Sequence, residues 1–427
     1  MGAVVLQGEA LPGELKKRYL ATGELEAGEP ATGEPATAGI KAVTNRKMKY
    51  YIIAGEASGD LHGSNLIKGI HQTDPQAQIR CWGGDLMKEA GADLVKHYKE
   101  GAIMGFVEVL TNLGKLSKNL NSCKQDIIDY NPDVVVLIDY PGFNFRIAEF
   151  AKKQGFRVFY YIAPKVWAWK EKRVHRLKKF VDRLFIIFPF EIEYFKKWGI
   201  DAIYNGNPLL DSVDNHPSAT ESKEEFCKRA DINPDSTKVA LLAGSRRGEI
   251  KYLLPRMIEV AKKYPSYQFL LACAPSMDLE FYKGIIGTKC SNIKLLVGET
   301  YSILRHSDAA IINSGTASLE AALIGVPQVV CYGGNEISYQ IARMVVKLKF
   351  ISLANLIMDK GLFKELIQHT CTPALISQEL DQLLHNQEYR AKMMQDYADV
   401  RTVLGGAGAS AKVAKAMTDE LKKMTNK

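Results

Sequence analysis

The sequence of 427 residues contains no long apolar run. Its longest apolar stretches are of strand length, such as VVVLI at 134–138 and LFIIFPF at 184–190, and fall far short of the roughly 20 residues that a membrane-spanning helix needs. The seven cysteines show no Cys-x-x-Cys spacing, which argues against a zinc site or a disulfide framework and favours free thiols in a reducing cytosol. We therefore expect a soluble cytoplasmic protein, and its 46% hydrophobic and 24% charged residues suffice for two packed domains.

Two signatures of nucleotide sites are also absent. No Asp-x-Asp occurs, so we expect no metal clamp for a nucleotide-sugar diphosphate and no other cofactor. The Gly-x-Gly-x-x-Gly fingerprint, whose glycines let the backbone approach a pyrophosphate, is missing too. The stretch YYIIAGEASGDLHG at 50–63 instead spaces its glycines four apart and places Glu56, Ser58 and Asp60 in the turn after a strand. Because carboxylates repel phosphates, this turn favours another purpose.

Residues 1–47 differ in composition from the rest of the chain. They repeat Ala, Gly, Glu, Pro and Thr with little periodicity, so they cannot bury enough apolar surface to offset the entropy of ordering. We expect a disordered extension without the apolar segment of a secretory signal, and a functional start at Met48. The charges of this extension cancel, so the net charge of +8 belongs to the folded body and favours an anionic partner.

From residue 48 the chain alternates short β-branched runs with amphipathic segments, which is typical of parallel βαβ units. These runs predict a Rossmann-like domain over residues 48–210 and a second one over 211–375, with helices over 376–427. A polar, proline-bearing stretch at 206–222 predicts the linker between the two domains. We expect an α/β protein whose two domains face each other across a cleft.

The strongest signals for phosphate binding lie in the second half. LLAGSRRGEIKYLLP at 241–255 predicts a strand-to-helix turn where backbone N–H groups, the helix dipole and a guanidinium meet a diphosphate. NSGTASLEAALIGVP at 313–327 predicts a second such turn, with a carboxylate one turn into the helix for the hydroxyls of a ribose. The candidate residues are Gly244, Ser245, Arg246, Ser314, Gly315, Thr316, Ala317 and, for the ribose, Glu320.

Each of these turns has a plainer interpretation. The first is alternatively an ordinary turn with solvated arginines, and the second an N-cap followed by a first-turn acid. Taken together, two Rossmann-like halves, nucleotide signals in the second half alone and the missing metal motif indicate a GT-B glycosyltransferase. The stretch 50–63 then belongs to the acceptor half.

Seven motifs carry a specific resemblance through their order and spacing: AGEASGD, MGFVEVL, DVVVLIDYPGFN, APKVWAWKEKRV, LLAGSR, NSGTASLE and ISLANLI. Over residues 48–423 the sequence resembles the lipid-A-disaccharide synthase family. The departures are small: Ala243 and Ala354 stand where proline is frequent, and Lys165 stands where serine is frequent. The resemblance also adds Asn355 of ISLANLI to the expected substrate-binding residues.

The family resemblance implies one inverting, metal-independent transfer. UDP-2,3-diacylglucosamine gives its sugar to the 6-hydroxyl of 2,3-diacylglucosamine 1-phosphate, which yields a β(1→6) disaccharide 1-phosphate and UDP. Such a displacement needs a base for the acceptor hydroxyl and charge stabilisation for the departing UDP. The alternatives are another UDP-sugar enzyme of GT-B type, such as a UDP-GlcNAc 2-epimerase-like protein, and a non-catalytic nucleotide-dependent membrane-binding module.

Asp139 is the first candidate for the base, because it follows the apolar strand 134–138 at its carboxyl end and the resemblance implies a role in activity. An aspartate that caps the following helix is the alternative. Glu56 is the second candidate base. Ser58, Gly59 and Asp60 are expected to shape the acceptor pocket, with Asp60 as a helix N-cap as the alternative.

Acylated substrates imply contact with a membrane surface. IMGFVEVLTNLGKL at 103–116 repeats apolar side chains at steps of three, which predicts either an interfacial, acyl-binding helix or a buried core helix. These side chains are Met104, Val107, Leu110, Leu113 and Leu116. The basic stretch at 165–179 predicts either contact with lipid phosphates or a solvated helix. We expect a peripheral protein at the inner membrane, without nucleic-acid partners and compatible with a homo-oligomer.

Overall fold

The computed structural model describes residues 47–101, 113–168, 170–288, 290–334, 336, 339 and 349–425. The predicted disordered extension at 1–47 lies outside the described residues except for Lys47. Two parallel sheets with helices between their strands form the body of the protein. The expected α/β fold with two Rossmann-like domains is confirmed.

The first sheet has seven strands in the order β3-β2-β1-β4-β5-β6-β7. Its strands are β1 (Lys49–Ala54), β2 (Gln78–Gly83), β3 (Asp93–His97), β4 (Val134–Ile138), β5 (Arg157–Tyr161), β6 (Arg183–Ile186) and β7 (Ala202–Tyr204). Its helices are α1 (Ala57–Thr73), α2 (Asp85–Glu89), α3 (Tyr98–Gly101), α4 (Leu113–Tyr130), α5 (Pro141–Lys153), α6 (Val174–Phe180) and α7 (Phe190–Lys197). The central strand β4 is buried along its whole length, as expected where helices cover both faces of a parallel sheet.

Alternation along the strands explains the two-sided core of this sheet. Tyr50 and Ile52 of β1 pack into one buried cluster, while Tyr51 and Ile53 pack into another. Successive side chains of a strand point to opposite faces, so a run of β-branched and aromatic residues fills both layers.

The second sheet has six strands in the order β10-β9-β8-β11-β12-β13. Its strands are β8 (Lys238–Leu242), β9 (Gln268–Cys273), β10 (Ile293–Val297), β11 (Ala309–Asn313), β12 (Gln328–Tyr332) and β13 (Glu365–Ile367). The remaining helices are α8 (Pro208–Asp214), α9 (Lys223–Arg229), α10 (Arg247–Ala261), α11 (Leu279–Ile286), α12 (Thr300–Arg305), α13 (Thr316–Ile324), α14 (Leu353–Met358), α15 (Pro373–His385), α16 (Gln387–Leu404) and α17 (Ala409–Thr425).

The predicted linker contains a packed helix. α8 spans the predicted domain boundary between residues 210 and 211, and its Leu209, Leu210 and Val213 are buried. Asn207 caps this helix by accepting a hydrogen bond from the Leu209 N–H at 2.9 Å. The stretch is therefore more ordered than its polar, proline-bearing sequence predicts, because its apolar residues join the core.

The last helix returns to the first domain. α17 packs on α1, where a Cβ atom built on Gly69 would lie 2.7 Å from the Cβ of Ala414. Asp211 of α8 accepts hydrogen bonds from the N–H groups of Gly408 at 2.6 Å and Ser410 at 2.8 Å at the start of α17. The C-terminal segment thus joins both halves of the chain. No helix among the described residues combines the length and apolarity needed to cross a membrane.

Candidate active site

Both sheets reverse their strand order at one point, between β1 and β4 in the first sheet and between β8 and β11 in the second. In open parallel sheets, ligands bind at the carboxyl ends of the strands that flank this switch point. Glu56 follows β1 and Asp139 follows β4, while Gly244 follows β8 and Ser314 follows β11. The strand order therefore brings each pair of predicted motifs side by side.

Asp139 lies in a turn that the surrounding structure holds in place. Asp139 and Tyr140 have φ angles of 42° and 48°, in the left-handed region that residues other than glycine rarely enter. The Asp139 carbonyl accepts hydrogen bonds from Tyr160 Oη at 2.6 Å and from Asn144 Nδ2 at 2.8 Å. Its N–H donates to the Tyr161 carbonyl at 3.1 Å. These contacts stabilise the strained turn and hold the backbone from which the carboxyl group projects.

The environment of the Asp139 carboxyl suits proton transfer. The residue stays accessible to solvent, but protein atoms crowd the carboxyl, and this desolvation raises its pKa from 3.8 to about 6. Lys165 opposes the rise and Glu56 adds to it, so the two candidate bases lie within electrostatic range of each other. The Asp139 side chain does not cap α5, whose N-cap residue is Tyr140 without a capping side-chain bond. The alternative interpretation, that Asp139 caps the following helix, is therefore wrong.

Lys165 approaches Asp139 from the loop after the neighbouring strand β5. Its side chain is exposed, yet crowding by protein lowers the pKa of the ammonium, while Asp139 and Glu191 act in the opposite direction. Among the described residues it forms no ion pair within salt-bridge distance. Lys165 therefore acts on the candidate base through its electrostatic field and not through a direct ion pair.

A buried carboxyl anchors the loop that carries Lys165. Glu191, near the start of α7, is 1% exposed and accepts a hydrogen bond from Trp167 Nε1 at 2.9 Å. Its other oxygen accepts from the N–H groups of Phe188 at 3.1 Å and Ile187 at 3.3 Å. Burial raises the pKa of Glu191 to about 7, and these hydrogen bonds oppose the rise. The loop after β5 is thus tied to the end of β6.

The glycines of the stretch 50–63 serve close packing. A Cβ atom on Gly55 would lie 2.3 Å from the Tyr140 ring, and one on Gly63 would lie 2.6 Å from Met87 Sδ. At Gly59 the nearest atom is the Cβ of Ala54, at 3.1 Å. Gly55 and Gly59 therefore let the Tyr140 ring and α1 approach the end of β1, and Gly63 lets Met87 of α2 approach α1. Close packing is the purpose that their spacing left open.

The acids and the serine of the same stretch have separate roles. Asp60 is buried and accepts hydrogen bonds from the N–H groups of Gly84 at 2.8 Å, Met87 at 3.1 Å and Leu86 at 3.2 Å. It therefore caps α2, a helix other than its own. Glu56 and Ser58 are exposed at the start of α1 and remain available to an acceptor.

In the second domain, Glu249 occupies the turn between β8 and α10. Its Oε2 accepts hydrogen bonds from the N–H groups of Ser245 at 3.1 Å and Arg246 at 3.3 Å, and its Oε1 accepts from Arg246 Nη1 at 2.9 Å. Gly244 has φ of 108°, and a Cβ atom there would lie 2.6 Å from Glu249 Oε2. The turn thus differs from the expectation that its backbone N–H groups face an anion, because an internal carboxylate accepts two of them.

The turn between β11 and α13 leaves its helix N-terminus open. Gly315 and Thr316 are exposed, and no described side chain caps α13. Ser314 is buried, and its Oγ donates to the Ile351 carbonyl at 3.4 Å. The first N–H groups of α13, at Thr316 and Ala317, can therefore face an anion, while Ser314 ties the turn to the loop before α14.

Glu320 is held from outside its own helix. Tyr301 of α12 donates a hydrogen bond from Oη to Glu320 Oε1 at 2.8 Å. Burial raises the pKa of Glu320, and this hydrogen bond opposes the rise. This hydrogen bond from another helix restrains the orientation of the carboxyl group.

Asn355 has a supporting position. It is fully buried, its Nδ2 donates to Glu365 Oε1 at 2.9 Å and to the Phe363 carbonyl at 3.2 Å, and its Oδ1 accepts from the Leu362 N–H at 2.9 Å. Its amide is therefore engaged with the loop between α14 and β13. Any effect of Asn355 on a ligand passes through that loop.

The predicted membrane segment is described only at its end. Met104, Val107 and Leu110 lie outside the described residues, Leu113 begins α4, and Leu116 packs against the buried cluster that contains Tyr51. In the basic stretch at 165–179, some charges bond internally. Arg176 contacts Glu149 at 3.0 Å and Lys178 donates to the Trp198 carbonyl at 2.9 Å, while Lys172 and Lys179 stay exposed.

Comparison with known proteins decides the family. The family model for lipid-A-disaccharide synthetase matches residues 50–418. The chain is 38% identical over 368 residues to the lipid-A-disaccharide synthase of Syntrophus aciditrophicus, an alignment that covers 85% of this chain and 95% of that protein. The chain belongs to the lipid-A-disaccharide synthase family. As a lipid-A-disaccharide synthase family member it is a glycosyltransferase, and the alternative of an epimerase-like protein is not favoured.

Solved structures share the fold of this lipid-A-disaccharide synthase family member. A UDP-GlcNAc 2-epimerase from Neisseria meningitidis, bound to UDP-GlcNAc, has a TM-score of 0.60 at 16% identity and covers 87% of this chain and 100% of its own. A glycosyltransferase from Rickettsia africae has a TM-score of 0.56 at 12% identity and covers 88% and 99%. The GT-B arrangement of two parallel-sheet domains is thereby shown.

Sequence reasoning missed several residues that shape the site of this lipid-A-disaccharide synthase family member. Glu191 carries a signal, since it is an acid directly after the apolar, aromatic stretch at 184–190. Glu249 stands three residues after Arg246, at the capping-box spacing, but an arginine in place of Ser or Thr hides the pattern. Tyr301 gives no local signal, because its partner Glu320 is distant in sequence.

Proposed function

We propose that this chain transfers the diacylglucosaminyl group of UDP-2,3-diacylglucosamine to the 6-hydroxyl of 2,3-diacylglucosamine 1-phosphate. The products are the β(1→6) disaccharide 1-phosphate and UDP, formed by inversion in one displacement. The single observation that carries this proposal is the family match over residues 50–418. The position of Asp139 at the switch point of the first sheet supports it.

Asp139 is the proposed base. Its pKa of about 6 leaves the carboxyl mostly ionised at neutral pH, yet close enough to the working pH to accept the proton of the acceptor hydroxyl. The turn at Asp139 and Tyr140 holds the backbone that carries the carboxylate in one conformation before the acceptor binds. Such preorganisation reduces the entropy that must be lost on reaching the transition state.

The second domain is proposed to bind UDP. The exposed guanidinium of Arg246 and the uncapped N-terminus of α13 offer positive charge to the diphosphate, and Glu320 accepts hydrogen bonds from the ribose hydroxyls. These groups stabilise the charge that develops on the departing UDP. Because no Asp-x-Asp motif is present, the transfer is proposed to proceed without a metal.

Both substrates carry acyl chains, so peripheral contact with the inner membrane is part of the proposal. The exposed Lys172 and Lys179 can face anionic lipid, and the apolar residues of 103–116 can enter the interface. Membrane binding of this kind combines buried apolar area with electrostatic attraction and weakens as salt rises.

The reaction is tested with purified protein, the two diacyl sugars in detergent micelles, and detection of UDP and the disaccharide phosphate. We expect both products, a β linkage by NMR, and an unchanged rate after addition of a chelator. Asp139→Asn should lower turnover by about 10² to 10⁴, because the amide cannot accept the proton, while UDP affinity stays the same. Thermal unfolding of the variant is the control.

Two outcomes contradict the proposal. A protein that binds UDP but releases neither product is not this transferase. Near-wild-type turnover of a folded Asp139→Asn variant would remove Asp139 from the mechanism and leave Glu56 as the candidate base.

A further inference from the structure

Glu249 fills the turn to which the proposed function assigns the diphosphate of UDP. Three hydrogen bonds join its carboxylate to Ser245 and Arg246, and glycine at position 244 leaves the space that the carboxylate occupies. An acid in an expected anion site either competes with the ligand or positions the groups that bind it. The contacts and the exposure of Glu249 and Arg246 favour the positioning role.

The exposure of the Glu249 and Arg246 side chains indicates which of them would meet an anionic ligand. Glu249 has 17% of its side chain exposed, whereas Arg246 has 59% exposed. Glu249 contacts one terminal nitrogen of the guanidinium, and among the described residues Arg246 has no other ion pair. Because a guanidinium has five N–H donors in a rigid plane, one contact restrains its orientation and leaves its other donors free to bind a ligand.

A third group near this turn comes from another strand of the same sheet. Tyr332, at the end of β12, two strands from β8, lies within electrostatic range of both Glu249 and Arg246. The pair is therefore located at the carboxyl edge of the second sheet, where a ligand would meet it, and not on a remote face of α10.

We propose that Glu249 is a positioning residue that holds Arg246 in the orientation that receives the diphosphate of UDP. This inference rests on the proposed function, which assigns UDP to the turn between β8 and α10. Glu249 acts through Arg246, so its effect on UDP binding depends on the presence of the arginine.

Glu249→Gln separates this role from helix capping. Glutamine retains an oxygen that can accept the N–H groups of Ser245 and Arg246, and Gln as well as Glu serves at this capping-box position. Its amide NH₂ group, however, presents a donor to a guanidinium that is also a donor. The variant therefore keeps the cap and removes the contact that orients Arg246.

The experiment is a double-mutant cycle on UDP affinity, measured by calorimetry with Glu249→Gln, Arg246→Ala and the double variant. We expect Arg246→Ala to weaken UDP binding by about 10- to 100-fold and Glu249→Gln by about 3- to 10-fold. The double variant should bind UDP as Arg246→Ala does, within about twofold. Affinity for uridine, which lacks the diphosphate, should not change, and the unfolding temperature of Glu249→Gln should stay close to that of the wild type.

Each contrary result overturns the inference in a different way. Tighter UDP binding by Glu249→Gln would mean that the carboxylate competes with the ligand. Unchanged UDP affinity would leave Glu249 as a helix cap, and additive losses in the double variant would mean that it acts without Arg246. If Arg246→Ala itself leaves UDP affinity unchanged, the proposed placement of UDP fails as well. The Arg246→Ala result therefore distinguishes a failure of the UDP site from a failure of the positioning role of Glu249.

Discussion

Replacement of Lys165 by methionine should move the acid limb of the pH–rate profile to higher pH. The Asp139 carboxyl must be ionised to accept a proton, and its pKa is about 6 while the Lys165 ammonium opposes the rise. Methionine keeps much of the length of the side chain and removes its charge. The pKa of Asp139 then rises further, so activity is lost at a higher pH than in the wild type.

The size of this shift follows from the exposure of both side chains. Asp139 and Lys165 are accessible to solvent, so their interaction is screened and is worth roughly 1 kcal/mol, far less than a sealed ion pair. One pKa unit corresponds to about 1.4 kcal/mol, so we expect an upward shift of about 0.5 to 1 unit. At pH 6 the ionised fraction of Asp139 would fall from about one half to between about 10% and 25%.

The assay is kcat/KM between pH 5 and pH 9, normalised to the plateau above pH 8, where Asp139 is ionised in both proteins. Relative activity at pH 6 should fall about two- to fivefold in Lys165→Met. Lys165→Arg is the matched control, because it keeps the positive charge and should therefore leave the acid limb at the same pH as in the wild type. Glu56→Gln should move the limb in the opposite direction, since Glu56 raises the pKa of Asp139.

An acid limb at the same pH in Lys165→Met and in the wild type would refute this reasoning. A limb that persists in the residual activity of Asp139→Asn would show that another group titrates there. Loss of the limb in Glu56→Gln would transfer the role of base to Glu56.

Two further predictions concern UDP recognition and membrane contact. Tyr301→Phe should weaken UDP binding about 3- to 10-fold, because Glu320 loses the hydrogen bond that orients it. Binding of a UDP analogue without ribose hydroxyls should not change, and an equal loss for both ligands would contradict the ribose role. Replacing Val107, Leu110 and Leu113 together by serine should reduce cosedimentation with anionic vesicles and leave the unfolding temperature unchanged. A variant that unfolds would instead place these side chains in the core.

The two-domain fold could be predicted from the sequence, because the buried strands are short apolar runs that alternate with helical segments. β4 at Val134–Ile138 coincides with the apolar run that predicted it. The packed helix α8 and the return of α17 to the first domain could not be predicted. They depend on contacts such as that of Asp211 with the Ser410 N–H, between residues about 200 positions apart.

The candidate site could be predicted at the level of turns but not of contacts. Motif spacing located Asp139 and Arg246 after their strands, since strand ends in a parallel sheet carry the ligand site. The spacing could not indicate that Asp60 caps α2, that Asn355 is fully engaged, or that Glu249 bonds Arg246. Each of these depends on which donors lie within about 3 Å in the folded chain, and neighbours in sequence do not determine that.

The distribution of charge between the two domains fits the proposed displacement. Glu56 and Asp139 follow the strands at the switch point of the first sheet. The exposed guanidinium of Arg246, paired with Glu249, and an uncapped helix N-terminus follow those of the second. In an inverting reaction the base and the leaving group act on opposite faces of the anomeric carbon. A base beside the diphosphate would repel it and would lose basicity beside Arg246. Assigning the base to one domain and UDP to the other satisfies both requirements.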